Sequence, residues 1–278
     1  REIYQNEKGD YRVATDSAFK LFQVGQRAGL VCAGKTRIGD MNLVSLLELF
    51  KVQRGIDRDS ELPVDLISNQ LVGFLKEEHA QAKERVEKRL EEISKELAGQ
   101  LDEEARRLLE GERKALERQK EDLASTMGMI VSGYDNRNVR RVYQIIVSDQ
   151  ESFIGELATV EPTVFWDGQT DVLSRLILGF DPAVLKEETG VKVNEEILDQ
   201  LEYKIHFDKM TLQDAVEFAV FLIETTIGMQ RFADGTVGNP GGVSGTGGPV
   251  DVAVITPKGF RWVQRKGISF MREYLEAQ

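Results

Sequence analysis

The stretch AFKLFQVGQRAGLVCAG, residues 18–34, decides how the fold begins. Residues 18–24 alternate apolar and polar side chains at the two-residue period of a half-buried strand. Residues 28–34 are small and apolar, and Gly25 to Arg27 forms a turn between the two runs. Two antiparallel strands are therefore expected. Immediately after them, IGDMNLVSLLELFKVQRG (38–55) places Leu43, Leu46, Leu47, Leu49 and Phe50 at helical spacing. Asp40 is the expected N-cap of that helix and Gly55 its terminator.

Working outward, the composition changes at residue 76. From Lys76 to Asp122 there are 15 acidic and 12 basic residues. Val86, Leu90, Ile93, Leu97 and Leu101 form one apolar stripe, and Leu109, Leu116 and Leu123 recur every seventh residue. Gly99 can end the first helix and Asp102 can cap the second, so 76–124 reads as a helical hairpin projecting from the body. Three short apolar runs follow at 129–135, 142–148 and 153–160, as expected of consecutive antiparallel strands. A helix is expected in GQTDVLSRLILG (168–179), a weaker one around 194–202, and a long one over 211–229. In the last, Thr211 and Asp214 suggest a capping box, and apolar residues on most faces predict burial between layers. A glycine-rich loop at 235–248 leads into strands at 250–256 and 260–265, and LEAQ ends a short helix. Strands and helices in separate runs, without regular βαβ alternation, predict an α+β layered fold.

Composition excludes several function classes. A net charge of −11 over 278 residues argues against a nucleic-acid partner, since phosphate neutralisation needs clustered Lys and Arg. One cysteine and two histidines are too few for a disulfide framework or a Cys/His zinc site. No apolar run approaches the roughly 20 residues of a membrane-spanning helix and no signal peptide is read, so no membrane partner and a cytoplasmic location are expected.

FKLFQVGQRAGLVCAG at 19–34, VSGYD at 131–135, WDGQTDVLSRLILG at 166–179, TLQDAVEFAVFLI at 211–223 and TGGPVDVAVITPKGFRWV at 246–263 together resemble the proteasome-type N-terminal-nucleophile hydrolases, in that family's order. The resemblance implies a four-layer αββα sandwich made of residues 1–75 and 125–278, lacking its N-terminal strand, with 76–124 as an inserted helical hairpin. It implies amide hydrolysis by an N-terminal threonine whose own α-amine acts as base, with no cofactor and no metal. It also implies subunits that assemble with copies of themselves into a ring enclosing the active sites. Peptides or unfolded proteins would be the substrates, and an ATPase or adaptor would be a partner.

Carried over residue by residue, Lys20 matches the family's catalytic lysine, whose positive charge favours the unprotonated amine. Its alternative is an ordinary strand lysine facing solvent. Gly34 matches the oxyanion-hole glycine, a kind of donor worth roughly 3–4 kcal/mol in other enzymes; alternatively it is a simple strand-end turn. Cys32 matches a position lining the specificity pocket, or is a small core residue. Thr246 fits the hydroxyl position of the late turn and Gly247 its tight backbone position, and tight approach to a catalytic centre is preferred there to phosphate binding.

Three departures accompany the match. The nucleophile and its strand lie upstream of the lysine in the family, yet only nineteen residues precede Lys20 and Thr15-Asp16-Ser17 falls too close to it. The nucleophile is accordingly expected upstream of Arg1. Val243 stands near the family's acidic position, and Asp167 replaces a usual serine, as a polar partner or as a cap of the helix beginning near Gln169. The readings left open are a threonine-type peptidase subunit, a non-catalytic ring subunit, and a coiled-coil interaction protein acting through 76–124.

Overall fold

The computed structural model describes residues 2–5, 11–100, 102–157, 161–187, 195–233, 235–236, 239–240 and 244–266. It is mixed α+β. In order the elements are β1 (Glu2–Gln5), β2 (Tyr11–Thr15), β3 (Leu21–Gln23), β4 (Ala28–Gly34), β5 (Arg37–Ile38), β6 (Met41–Asn42), α1 (Leu43–Arg54), α2 (Val64–Leu97) and α3 (Glu103–Ala124). Then come β7 (Met127–Tyr134), β8 (Arg140–Val147), β9 (Ser152–Leu157), α4 (Asp171–Ile177), α5 (Pro182–Glu187), α6 (Glu195–Leu201) and α7 (Leu212–Phe232). The short strands β10 (Gly235–Thr236) and β11 (Asn239–Pro240) precede the final pair, β12 (Val252–Thr256) and β13 (Gly259–Gln264). The chain divides into two compact units: Arg1–Lys20 with Val160–Val254 and Arg261–Gln278, and Leu21–Thr159 with Ile255–Phe260.

In the second unit, β3-β4-β7-β8-β9 form one antiparallel sheet. Val24 N–H donates to Ala28 O at 3.0 Å across the turn after β3, where Gly25 has φ +139°. Alternation along each strand selects the faces. Leu30 and Cys32 of β4, Met127, Met129 and Val131 of β7, and Tyr143, Ile145 and Val147 of β8 all belong to one core. Across that core lie Leu43, Leu46, Leu47 and Phe50 of α1 and Val64, Ile67, Leu71, Phe74, Leu75, Ala82 and Val86 of α2. Phe50 and Phe74 meet with ring centroids 5.6 Å apart. On the opposite face Val31 remains 41% and Phe153 40% exposed. There Gly29 admits the Phe260 ring, which would lie 2.7 Å from an added Cβ.

The caps differ in part from expectation. Asn42, not Asp40, caps α1, its Oδ1 accepting from Ser45 N–H at 2.9 Å. The reason is the β5–β6 pair, which turns through Gly39 and Asp40 and so delays the helix. Gly55 ends α1 at φ 63° with its N–H on the last-turn carbonyls. Asp102 caps α3, and α2 runs unbroken from Val64, so its first turns and its charged portion are one 34-residue helix. That helix packs on β7, β8 and β9. The two helices are also tied to each other, because Arg89 donates to both carboxylate oxygens of Glu112 at 2.8 and 3.0 Å and to Glu96 at 2.9 Å.

In the first unit, Thr211 and Asp214 form the full capping box of α7. The expected burial of this helix is corrected. Only the stripe Leu222, Thr226 and Gln230 is buried among its described residues, whereas Leu212, Phe221, Met229 and Phe232 are exposed. α4 packs on it, and a seven-residue helix cannot cover one of 21 residues. The expected terminal helix at LEAQ lies outside the described residues.

Gly133 of β7 tests the close packing of this core. A Cβ there would lie 2.5 Å from Arg27 O and 3.0 Å from the Val64 side chain. Gly133→Ala is expected to destabilise the protein by about 1–3 kcal/mol, read as a lower urea midpoint with unchanged m-value. An unchanged midpoint would mean that β7 can move away from β4.

Candidate active site

The expected site residues fall in both units. Lys20, Asp167, Thr246 and Gly247 belong to the first, Cys32 and Gly34 to the second. Val243 lies outside the described residues.

The glycine turn of the first unit is ordered by two glutamines that were not anticipated. Gln230 is 5% exposed at the end of the buried stripe of α7. Its Oε1 accepts from Thr246 N–H at 3.0 Å and lies 3.0 Å from Ser244 Oγ. The Thr246 amide is purely a donor, which fixes which end of the Gln230 amide faces the turn. Thr246 Oγ1 donates to Gln169 Oε1 at 3.2 Å. Gly245 lies against the end of the Gln169 side chain, whose Nε2 would come within 2.5 Å of a Cβ there. Gly248 has φ +80° and presses its backbone on the carbonyl of Asp16, leaving no room for a side chain.

That contact brings the turn beside the segment that leads into Lys20. The same segment is also held from the residues that follow β13. Lys266 Nζ donates to Ala18 O at 2.8 Å and forms a buried ion pair with Asp251 at 3.7 Å, and the Arg265 guanidinium lies over the Phe19 ring at 5.7 Å. Lys20 is half-buried in the coil directly ahead of β3, not within a strand as expected. Gly247 is half-buried within the turn. Asp167 is exposed, and its Oδ1 accepts from the adjacent Gly168 N–H at 2.7 Å. It does not cap the following helix. Gly168, at φ +97°, bends the chain, and α4 starts at Asp171 with Thr170 at its N-cap.

In the second unit Cys32 is 5% exposed within the core shared by the sheet and α1 and α2. Gly34 ends β4 opposite Met127, exposed and at φ +70°. A Cβ on it would lie 2.9 Å from Thr126 O. Lys35 follows, and its Nζ donates to Asp122 O at 3.0 Å, Leu123 O at 3.2 Å and Ser125 O at 3.1 Å. These carbonyls close the C-terminal end of α3, where a cation is favoured. His79 Nε2 sits 2.8 Å from Leu123 O from the other side. Burial nevertheless wins: it lowers the Lys35 pKa from the usual 10.5 to about 8, against the opposing pull of Asp122 and Asp149.

Asp135, at the end of VSGYD, organises a turn. Its Oδ1 accepts from Arg137 N–H and Val139 N–H at 2.8 and 2.9 Å. The Val139 bond first, then Arg137 and the Arg141 guanidinium, hold its carboxyl below the usual range. Among the described residues no three His, Cys, Asp or Glu side chains group as metal ligands would, and no helix is long and apolar enough to cross a membrane. No protein-family model matches the chain, and no curated protein matches it.

Of the residues missed from sequence, Gln230 carried a usable signal: it continues the i, i+4 stripe of Leu222 and Thr226, a polar residue on a buried face. Gln169 and Lys35 carried none, because their partners are far away in the chain.

The Lys35 shift fixes a pH dependence. A folded-state pKa below the unfolded one means that the unfolded chain holds more protons between about 8 and 10.5. Its contribution to stability therefore rises with pH across that window. Unfolding free energies measured from pH 7.5 to 10 should climb more steeply for the wild type than for Lys35→Met. Equal slopes would show that the ammonium is not desolvated.

Proposed function

We propose that this chain is a subunit of a proteasome-like N-terminal-nucleophile peptidase, with the four-layer αββα architecture of that family, working in the cytoplasm. The observation that carries the reading is the seating of the Gly248 backbone on the carbonyl of Asp16. It sets the Thr246-Gly247 turn against the segment that delivers Lys20, the two pieces that the family's chemistry requires side by side.

In this reading a threonine hydroxyl attacks the peptide carbonyl and its α-amine takes the proton. The Lys20 ammonium keeps that amine unprotonated and steadies the developing alkoxide. By the resemblance Gly34 is assigned the oxyanion donor, where a side chain would obstruct the substrate backbone. Thr246, its amide held by Gln230 and its hydroxyl by Gln169, is the rigid polar wall of the site. Copies of the subunit close a ring around these sites, and the exposed apolar face of α7, with Phe221, Met229 and Phe232, is suited to being covered by such assembly. Unfolded chains are the substrates, delivered by an ATPase or adaptor.

A second reading, a non-catalytic ring subunit, is favoured by Asp167. Where the family usually has a serine beside the nucleophile, this carboxylate is exposed and engaged with its own neighbour's amide.

The two readings separate on one experiment. Protein expressed from the complete reading frame is assayed on casein and short fluorogenic peptides, with its mature N-terminus sequenced and its particle mass measured. A peptidase gives hydrolysis, an N-terminal threonine and a multimer, and Lys20→Ala lowers turnover by about a hundredfold or more with an unchanged melting temperature. A folded multimer that hydrolyses nothing sinks the peptidase reading, and full turnover in Lys20→Ala removes that lysine from the chemistry.

A further inference from the structure

We propose that Lys35 is a positioning residue for Gly34, and that through it the end of the α2–α3 helical pair sets the orientation of the glycine's peptide. The proposal rests on reading Gly34 as the glycine on the oxyanion side of the site.

The two residues are adjacent, and both are tied to the same short run of chain. After α3 ends at Ala124, only Ser125 and Thr126 intervene before Met127, the ladder partner of Gly34. Lys35 Nζ spans this junction, donating to the last carbonyls of α3 and to Ser125 O beyond it. Lys35 N–H donates to Thr126 O at 3.5 Å, the same oxygen that excludes a side chain at Gly34. The glycine's backbone, at φ +70°, therefore sits between a ladder partner and a residue whose side chain is anchored in the helix end. His79 of α2 engages Leu123 O, so both helices take part.

A packing lysine would need none of this. Its stem would lie on apolar surface and its ammonium would reach water. Here the three donors of the ammonium match three carbonyl acceptors, which fixes the side chain's direction as well as its location. The charged groups facing it are Asp122 on α3 and Asp149 in the β8–β9 turn. Asp149 is itself held by Lys83 of α2, with His79 and Lys120 also acting on it.

The helical pair is a stiff arm. At 1.5 Å per residue the 34 residues of α2 span about 51 Å, and Arg89 binds the two helices together through Glu112. A displacement of the outer end would be transmitted to the α3 terminus, and the Lys35 clamp is the direct side-chain connection from that terminus to the residue beside Gly34. Whatever engages the arm would then act on turnover, through orientation of one backbone amide, more than on substrate affinity.

The test uses the protein from its complete reading frame, with Lys35→Met, Lys35→Gln and Lys35→Arg. Peptide hydrolysis is resolved into kcat and KM, and hydrogen exchange is followed over residues 30–36 and 122–128. Loss of an aligned oxyanion donor is felt in kcat, so Lys35→Met should lower kcat by about tenfold or more with KM changed by less than about twofold. Exchange should accelerate in both segments. Lys35→Arg should recover most of kcat, and Lys35→Gln, with donors and no charge, should fall between. Wild-type kcat and wild-type exchange in Lys35→Met overturn the proposal, as does a loss of activity that tracks melting temperature and is not recovered by arginine. Should the wild-type multimer hydrolyse nothing, the peptidase reading falls by itself. The coupling is then decided by exchange alone, and unchanged exchange over 30–36 in the variants overturns it.

Discussion

The larger unit depends on one constraint: α2 must bury an apolar stripe more than six turns long, and the β4–β7–β8 ladder is the surface that receives it. Val64, Ile67, Leu71, Phe74, Leu75, Ala82 and Val86 recur at three- and four-residue steps, and the inward positions of three strands recur at two. The two periods match only if β4, β7 and β8 hold their present register, because a one-residue slip would turn Leu30, Met129 and Ile145 to the other face. Gly133 permits this contact by letting β7 approach Arg27 O and the Val64 side chain.

Polar chemistry is then confined to the ends and turns that this packing leaves. In the second unit the α3 terminus cannot hide its carbonyls, and Lys35 and His79 satisfy them from the strand and helix alongside. The cost is visible in the lysine itself, whose protonated form is disfavoured by burial even with three acceptors. In the first unit the buried amide of Gln230 holds the glycine turn from α7, accepting from Thr246 N–H and Ser244 Oγ. Both arrangements place a long side chain where the backbone alone would have no fixed direction.

Much of the secondary structure was legible because its determinants are local. β4 and β8 are found where short apolar runs indicated, Asp102 caps α3, and the capping box of α7 is spelled by Thr211 and Asp214. The failures are local too, and each was overridden by a neighbour. Asp40 lost the α1 cap to Asn42 because two residues on either side of it pair as strands. Asp167 lost the α4 cap because Gly168 turns the chain first. The burial expected of α7 failed because apolarity shows what a helix can bury, while the size of its partner determines what it does bury.

The sequence by itself determined the apolar runs, the caps at Asp102 and Thr211 and the helix-ending Gly55, since these are set within four residues by sterics and hydrogen bonding. It also suggested which residues to examine for chemistry. Only the tertiary structure decided what those residues touch. Thr246 meets a glutamine 77 positions away, and Lys35 meets a carbonyl 87 positions away. Such pairs form when packing delivers both partners to one place, and a single hydrogen bond of about 1 kcal/mol leaves no periodic mark in the chain by which it could be foreseen.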